Sequence, residues 1–352
     1  MGATPLRWKL AEDDGGQGAL FAEEELVDRH MGRGEYRGLE FLHVNARRII
    51  NEVPKASRVP FRYTINAYRG CSHSCTYCFA RPTHEYLGLN IGEDFDRKLV
   101  VKVNAVERLR AELRSPKWAG EHIAMGTNTD PYQRCEGKYH LTQGIVRVLG
   151  EASNPFSILT KSTLILRDLE LLQTAVGRTS VHANFSIGTL DEPVWKATEP
   201  GTPHPMRRVE AVAKLNEAGI PCGVLVAPVL PGMSDAPEQL EAVVNACVEA
   251  GATNVSAIAL HLRPGVRQHF LDWLASNRPD LVGDYEQRFR RAYQPAKDQD
   301  ALAVLVRTFV AQARGRWAPP RRIRSVSRPK PRASRSAPAP APAEATQLGF
   351  SL

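Results

Sequence analysis

Two periodicities of apolar and polar residues alternate along the chain from about residue 60 to about residue 313. Short, nearly continuous apolar runs are typical of buried strands. Each run is followed by a stretch in which apolar residues recur every three or four positions, as they do on one face of a helix. The predicted strands are 61–67, 122–126, 156–160, 181–187, 221–228 and 255–260.

The stretches with helical periodicity lie between these strands, at 106–113, 141–149, 169–176, 209–215 and 240–248. Continuous apolar strands that alternate with amphipathic helices favour a parallel sheet covered by helices. The pattern therefore predicts an α/β fold built from six βα units.

The two ends of the chain differ from this middle region. Residues 1–60 lack clear periodicity, and we expect them to form a partly ordered N-terminal extension. Residues 263–317 are predicted to add helices after the last βα unit. Residues 318–352 are rich in Pro, Ala, Ser and Arg, a composition that cannot bury a core, so the sequence predicts a disordered basic tail.

The net charge of +8 is confined to that end of the chain. Residues 314–352 contain nine of the 46 Lys and Arg residues and one of the 38 acids, which leaves 37 of each sign in the body. The charge therefore indicates no basic groove in the body. A basic, Pro-rich tail is suited to nucleic acid, although a solvated linker has the same composition.

Composition also bears on the compartment. No apolar run approaches the roughly 20 residues that span a bilayer, and the first thirty residues carry several acids where a signal peptide would be basic. Three of the six cysteines lie within eight residues, which is typical of reduced, metal-binding thiols and not of a secreted disulfide framework. We expect a cytoplasmic protein with no membrane contact.

These three cysteines, Cys71, Cys75 and Cys78, have the spacing CxxxCxxC and directly follow the first predicted strand. Three thiolates on one short loop can bind three corners of a 4Fe-4S cluster and leave one iron without a protein ligand. The alternative is a structural zinc site, in which His73 or His84 is the fourth ligand.

The loop resembles the signature of the radical S-adenosylmethionine superfamily, in which an aromatic residue, here Tyr77, precedes the last cysteine. The resemblance implies a partial (βα)6, TIM-like barrel at 61–262. It also implies that the open iron chelates the amino and carboxylate groups of S-adenosylmethionine. Reductive cleavage then gives methionine and a 5′-deoxyadenosyl radical that abstracts hydrogen from the substrate.

Within the superfamily, the chain is more similar to the spore photoproduct lyase-like branch, also called DNA repair photolyase-like. The similar segments are NAYRGCSHSCTYCFARPTHEYLG, MGTNTDPYQ, LTKSTLILRDLELL, NFSIGTLD and APVLPGMSD. The resemblance implies that Lys161 neutralises the methionine carboxylate and that Ser186 hydrogen-bonds the same molecule. It further assigns cofactor contacts to Tyr77, Thr127, Asn128 and Asp130. Each residue also has an ordinary explanation, such as a turn, a surface lysine or a core tyrosine.

One catalytic feature of that branch is missing. Its members carry a hydrogen-donating cysteine just ahead of the Thr-Asp stretch, where this chain has Gly126. Cys135 is our candidate for a replacement, whereas Cys222 and Cys247 are expected to be buried in apolar packing. The substrate is therefore left open.

The leading hypothesis is a radical enzyme that acts on nucleic acid, with His261 and Arg263 near the substrate. The alternatives are radical modification of a protein, peptide or small molecule, or a non-enzymatic protein that binds metal and nucleic acid. A flavodoxin or ferredoxin is the expected type of electron donor. The C-terminal peptide 347–350 also loosely resembles segments that bind bacterial sliding clamps.

Overall fold

The computed structural model describes residues 24–54, 57 and 59–316, and its strands form two sheets. The strands are β1 (Glu24–Met31), β2 (Glu40–Ala46), β3 (Ile50–Glu52), β4 (Tyr63–Ile65), β5 (Tyr68–Arg69), β6 (Lys98–Lys102), β7 (Ile123–Met125), β8 (Phe156–Thr160), β9 (Val181–Ser186), β10 (Cys222–Val229) and β11 (Val255–Ala259). The predicted tail and the clamp-like peptide lie outside the described residues.

The larger sheet has the order β11-β10-β9-β8-β7-β4-β3. Five parallel pairings join β4 and β7 to β11 in chain order, and β3 pairs antiparallel with β4 at the edge. Sequential parallel strands require a crossover on one side of the sheet between each pair. The partial (βα)6 barrel predicted from the sequence is therefore confirmed.

Helices fill the crossovers and extend beyond the last strand. They are α1 (Glu93–Arg97), α2 (Ala105–Leu113), α3 (Glu136–Tyr139), α4 (Leu141–Glu151), α5 (Leu169–Val176), α6 (Glu192–Thr198), α7 (Pro205–Glu217), α8 (Pro237–Glu249), α9 (Val266–Asn277), α10 (Val282–Arg288) and α11 (Ala296–Arg316). All five predicted helices are present as α2, α4, α5, α7 and α8. Within the described residues, none of the helices combines the length and apolar character needed to cross a membrane.

The interior of the barrel wall is continuous and apolar. Ile123, Ile158, Phe185 and Val224, from four neighbouring strands, are all fully buried. Burying one such side chain contributes about 1.5 to 3 kcal/mol. This packed wall gives the loops at the carboxyl ends of the strands a rigid base.

The N-terminal extension contains strands that the sequence did not predict. β1 and β2 pair antiparallel, β2 runs parallel to β6, and β6 pairs with β5, which gives a second sheet of four strands. The first predicted strand, 61–67, is shorter in the structure, where β4 covers Tyr63–Ile65 and the chain then enters the second sheet through β5. The short strand β6 was missed altogether.

Candidate active site

The cysteine loop begins immediately after β5. Cys71 and Cys75 are each 7% exposed and Cys78 is half-buried. Gly70, just before the first cysteine, has φ +75°, and a Cβ there would lie 2.9 Å from the carbonyl oxygen of Phe95. A side chain would strain the backbone and collide with it, so this position requires glycine.

Two buried side chains fix the backbone of this loop. The Gln133 amide accepts a hydrogen bond from Ser72 N at 2.9 Å and donates to Gly70 O at 3.0 Å. The Arg81 guanidinium donates to Cys75 O at 2.9 Å and to Asp96 at 2.9 Å. Neither side chain contacts a thiol by these bonds, so the loop is positioned while its sulfurs stay available.

The segment after α6 runs against the same loop. Thr76 N donates to Thr198 O, and Gly201 N donates to His73 O, each at 3.0 Å. A Cβ on Gly201 would lie 2.1 Å from Ser72 O, which is closer than any side chain allows. The two segments therefore depend on each other for their conformation.

The spacing of the sulfurs separates the two metal hypotheses. Among the described residues, the only three potential ligand atoms within 4.8 Å of one another belong to Asp28, His30 and His43, so the three cysteine sulfurs are spread more widely. A tetrahedral zinc with sulfur ligands at about 2.3 Å needs them closer. A cluster of four irons is larger than one zinc ion and suits an all-thiolate donor set.

The two histidines near the loop each have one ring nitrogen in a polar contact, and the three thiols are affected by burial. His73 Nδ1 lies 3.4 Å from Asp130 Oδ2, and His84 Nε2 contacts Lys98 O at 2.9 Å. Burial raises the pKa of the thiols of Cys71, Cys75 and Cys78. Without a bound cation these three thiols would be neutral.

Lys161, directly after β8, reaches across the ends of the next two strands. Its Nζ donates to Ser186 Oγ at 2.7 Å, to Glu199 Oε1 at 2.8 Å and to Ala227 O at 3.4 Å. The ring of Tyr77 lies 5.7 Å from the same Nζ, and the Tyr77 hydroxyl donates to Glu199. The structure thus brings two of the predicted cofactor residues, Tyr77 and Ser186, together around the ammonium of a third, Lys161.

Glu199 was not identified from the sequence, and neither was its second partner, Arg208. Their side chains are 6% and 1% exposed and approach to 2.6 Å. Burial opposes ionisation of Glu199, but Arg208 and Lys161 outweigh it and hold the pKa of that carboxyl well below its usual range. Lys161 and Arg208 thus share the Glu199 carboxylate, so two cations lie beside the loop with one carboxylate between them.

Asp130 supports Lys161 from behind. Its carboxylate accepts hydrogen bonds from Lys161 N and Thr160 Oγ1, both at 2.7 Å, and from Tyr132 N at 2.9 Å. Thr127 and Asn128, in the same loop after β7, are half-buried, and neither side chain is hydrogen-bonded within the part of the chain that the structure describes. Asp130 therefore positions the end of β8, while Thr127 and Asn128 have polar atoms free for a ligand.

The glycine that replaces the branch's cysteine is structurally required. Gly126 has φ +83°, and a Cβ there would lie 1.9 Å from Leu159 O. Cys135, our candidate hydrogen donor, lies fully buried at the start of α3, and burial raises the pKa of its thiol well above the usual value. Its role stays a prediction. Cys222 and Cys247 are fully buried, as expected.

An exposed aromatic and cationic group lies beside the last cysteine. Phe79 follows Cys78 and is 40% exposed; its ring centroid is 5.7 Å from that of His261, which stacks on Tyr293 at 5.3 Å. The Arg263 guanidinium lies 5.8 Å from the Phe79 ring and donates to the Tyr293 hydroxyl at 3.2 Å. We call these four residues, Phe79, His261, Arg263 and Tyr293, the aromatic platform.

Comparison with known proteins agrees with this geometry. An uncharacterized protein of Mycobacterium tuberculosis is 44% identical over 297 residues, 83% of this chain and 87% of that protein. An uncharacterized protein of Methanocaldococcus jannaschii is 29% identical over 199 residues, 56% of this chain and 70% of that protein. Spore photoproduct lyase complexed with dinucleoside spore photoproduct has the same fold, with a TM-score of 0.58 and 19% identity over 77% of this chain and 79% of that one. The radical SAM superfamily model matches residues 65–246, and this chain belongs to that superfamily.

Proposed function

We propose that this radical S-adenosylmethionine enzyme acts on nucleic acid and that an unstacked base binds on the aromatic platform. The platform beside the cysteine loop is the observation that carries the proposal. Cys71, Cys75 and Cys78 would hold the cluster, since three thiolates on one loop can bind three of its irons. When bound, the cluster supplies the electron that cleaves S-adenosylmethionine to methionine and a 5′-deoxyadenosyl radical.

The chain's own residues would orient the cofactor. The ammonium of Lys161 suits the methionine carboxylate, because a charge-assisted hydrogen bond to such a group is strong. All three N–H donors of Lys161 are engaged in the structure. The carboxylate of S-adenosylmethionine would therefore replace one of the three acceptors or share a donor with it. Thr127 and Asn128, in the loop after the neighbouring strand β7, have polar side-chain atoms that are available to the cofactor.

We expect Lys161→Ala to weaken binding of S-adenosylmethionine by about ten- to a hundredfold, because a charge-assisted hydrogen bond contributes about 1.5 to 3 kcal/mol. The iron content should not change, since Glu199 keeps Arg208 and Tyr77 as partners. Equilibrium dialysis with labelled cofactor measures the affinity. Lys196→Ala, which removes a lysine that is 65% exposed on α6, is the matched control. An unchanged dissociation constant in Lys161→Ala would remove Lys161 from the cofactor site.

The platform has the chemistry of a site for single-stranded nucleic acid. Every base has a π-face that can stack on an aromatic side chain, and an adjacent guanidinium attracts phosphate. Phe79 and Tyr293 are 40% and 50% exposed, so both can accept a base without rearrangement of the core. The solved structure of spore photoproduct lyase with a dinucleoside shows that this fold accommodates such a ligand in another protein. The basic tail would add phosphate contacts.

Phe79→Leu should weaken binding of a short, labelled oligodeoxythymidine by about tenfold, because loss of one stacked base costs about 1 to 3 kcal/mol. Phe79→Tyr keeps the ring and should bind like the parent. Fluorescence anisotropy at fixed salt measures the affinity, and Met206→Ala removes an apolar side chain with similar exposure, 41%, as a control.

These measurements test the base-binding site and the class of substrate independently of S-adenosylmethionine cleavage. Equal affinity of the parent and Phe79→Leu would exclude the platform as the base site. A parent chain that cleaves S-adenosylmethionine but binds no nucleic acid would favour a peptide or small-molecule substrate.

A further inference from the structure

The antiparallel pair β1 and β2 brings three metal-binding side chains to one place. Asp28 lies directly opposite His43, and His30 is two residues further along β1, so all three project from the same face of the pair. A register shift between Leu26 and Asp28 places one extra residue, Val27, in β1. Since a one-residue shift reverses the faces of a strand, this bulge sets which face Asp28 and His30 share with His43.

The side-chain atoms are close enough for one ion. Asp28 Oδ2 lies 2.9 Å from His30 Nε2, and the ring centroids of His30 and His43 are 4.4 Å apart. One ligand atom from each of the three residues lies within 4.8 Å of the other two. No other trio in the described part of the chain satisfies this distance.

The neighbouring Tyr139 orients one of the ligands. Its hydroxyl lies 2.7 Å from His43 Nε2. If Nε2 carries the proton and donates it to Tyr139, the lone pair of Nδ1 is left to bind a metal, which is the usual arrangement of a metal-binding imidazole and its supporting partner.

We propose that Asp28, His30 and His43 form a binding site for one divalent transition-metal ion, separate from the cluster. Two imidazole nitrogens and one carboxylate oxygen suit ions of the Zn²⁺ class. Asp28 and His30 are about half exposed, so the remaining coordination positions face water. This inference does not depend on the substrate.

Zinc binding to the anaerobically reconstituted protein tests the site, because the cluster then occupies the cysteines. Equilibrium dialysis followed by metal analysis should give one zinc per chain beyond the iron. His30→Ala and Asp28→Asn should each lower the zinc affinity at least tenfold, and Tyr139→Phe should lower it about ten- to a hundredfold, the usual effect of removing a supporting partner. His182→Ala, which removes another exposed histidine, should bind like the parent.

Iron content and circular dichroism show whether each variant keeps its cluster and fold. His30 and Asp28 are exposed, so their replacement removes no core contact. The proposal is overturned if the parent binds no zinc beyond the cluster, or if His30→Ala and Asp28→Asn bind zinc as tightly as His182→Ala does.

Discussion

Replacing Cys71, Cys75 or Cys78 singly by Ala should abolish the release of 5′-deoxyadenosine from S-adenosylmethionine. Each substitution removes one of the three thiolates that would hold the cluster on this loop. The anaerobically purified parent should be brown, contain iron and sulfide, and cleave the cofactor when reduced. Each of the three variants should lose the iron, the colour and the product together.

Cys247→Ala is the matched control, since it also removes a fully buried cysteine but lies in α8, away from the loop. It should keep the iron and the product. Cleavage that survives in any of the three loop variants would contradict the assignment of the ligands. Zinc without sulfide in the purified parent would instead favour the structural-metal alternative.

The barrel could be predicted from the sequence because short strands rich in buried residues alternate with amphipathic helices. The strand β10 is a nearly continuous apolar run, and apolar residues in the helix after it recur every three to four positions, so the two periodicities are easily distinguished. Predicted and observed bounds agree fully for β8 and α5. The cysteine motif could also be identified from the sequence, because its three ligands lie on one short loop.

The second sheet was missed for a different reason. β6 is only five residues long, and it pairs with β2, more than fifty residues earlier in the chain. β1 carries charged and polar residues along most of its length. Short or polar strands have no periodicity that exceeds chance, and their pairing is settled by contacts distant in sequence.

The roles of the charged residues around Lys161 could not be predicted from the local sequence either. Glu199 lies in a loop and Arg208 in the first turns of α7, and neither position differs locally from a solvated charge. Only the fold shows that both are buried and paired. Gln133 belongs to a segment that was singled out, yet its role in holding the cysteine loop depends on a partner sixty-one residues away.

The largest effect on stability is expected from Gly126→Ala. Gly126 has a φ of +83°, and the Cβ of an alanine there would lie 1.9 Å from Leu159 O, so alanine would be both strained and in collision with the backbone of β8. A left-handed conformation costs about 1 to 2 kcal/mol, and overpacking adds about 1 to 3 kcal/mol. Because Lys161 follows β8 directly, displacement of Leu159 would also disturb the cofactor site.

Gly120→Ala isolates the collision, since Gly120 has a similar φ of +72° but nothing within 4 Å of an added Cβ. Urea denaturation should show that Gly126→Ala lowers the free energy of unfolding by at least about 1 kcal/mol more than Gly120→Ala does. Gly126→Cys should be destabilised at least as strongly, because its side chain begins with the same Cβ. A cysteine that returns hydrogen therefore cannot occupy this position unless β8 moves. Equal stability of the two alanine variants would show that the loop after β7 can shift. A residue with a catalytic side chain could then be accommodated at position 126.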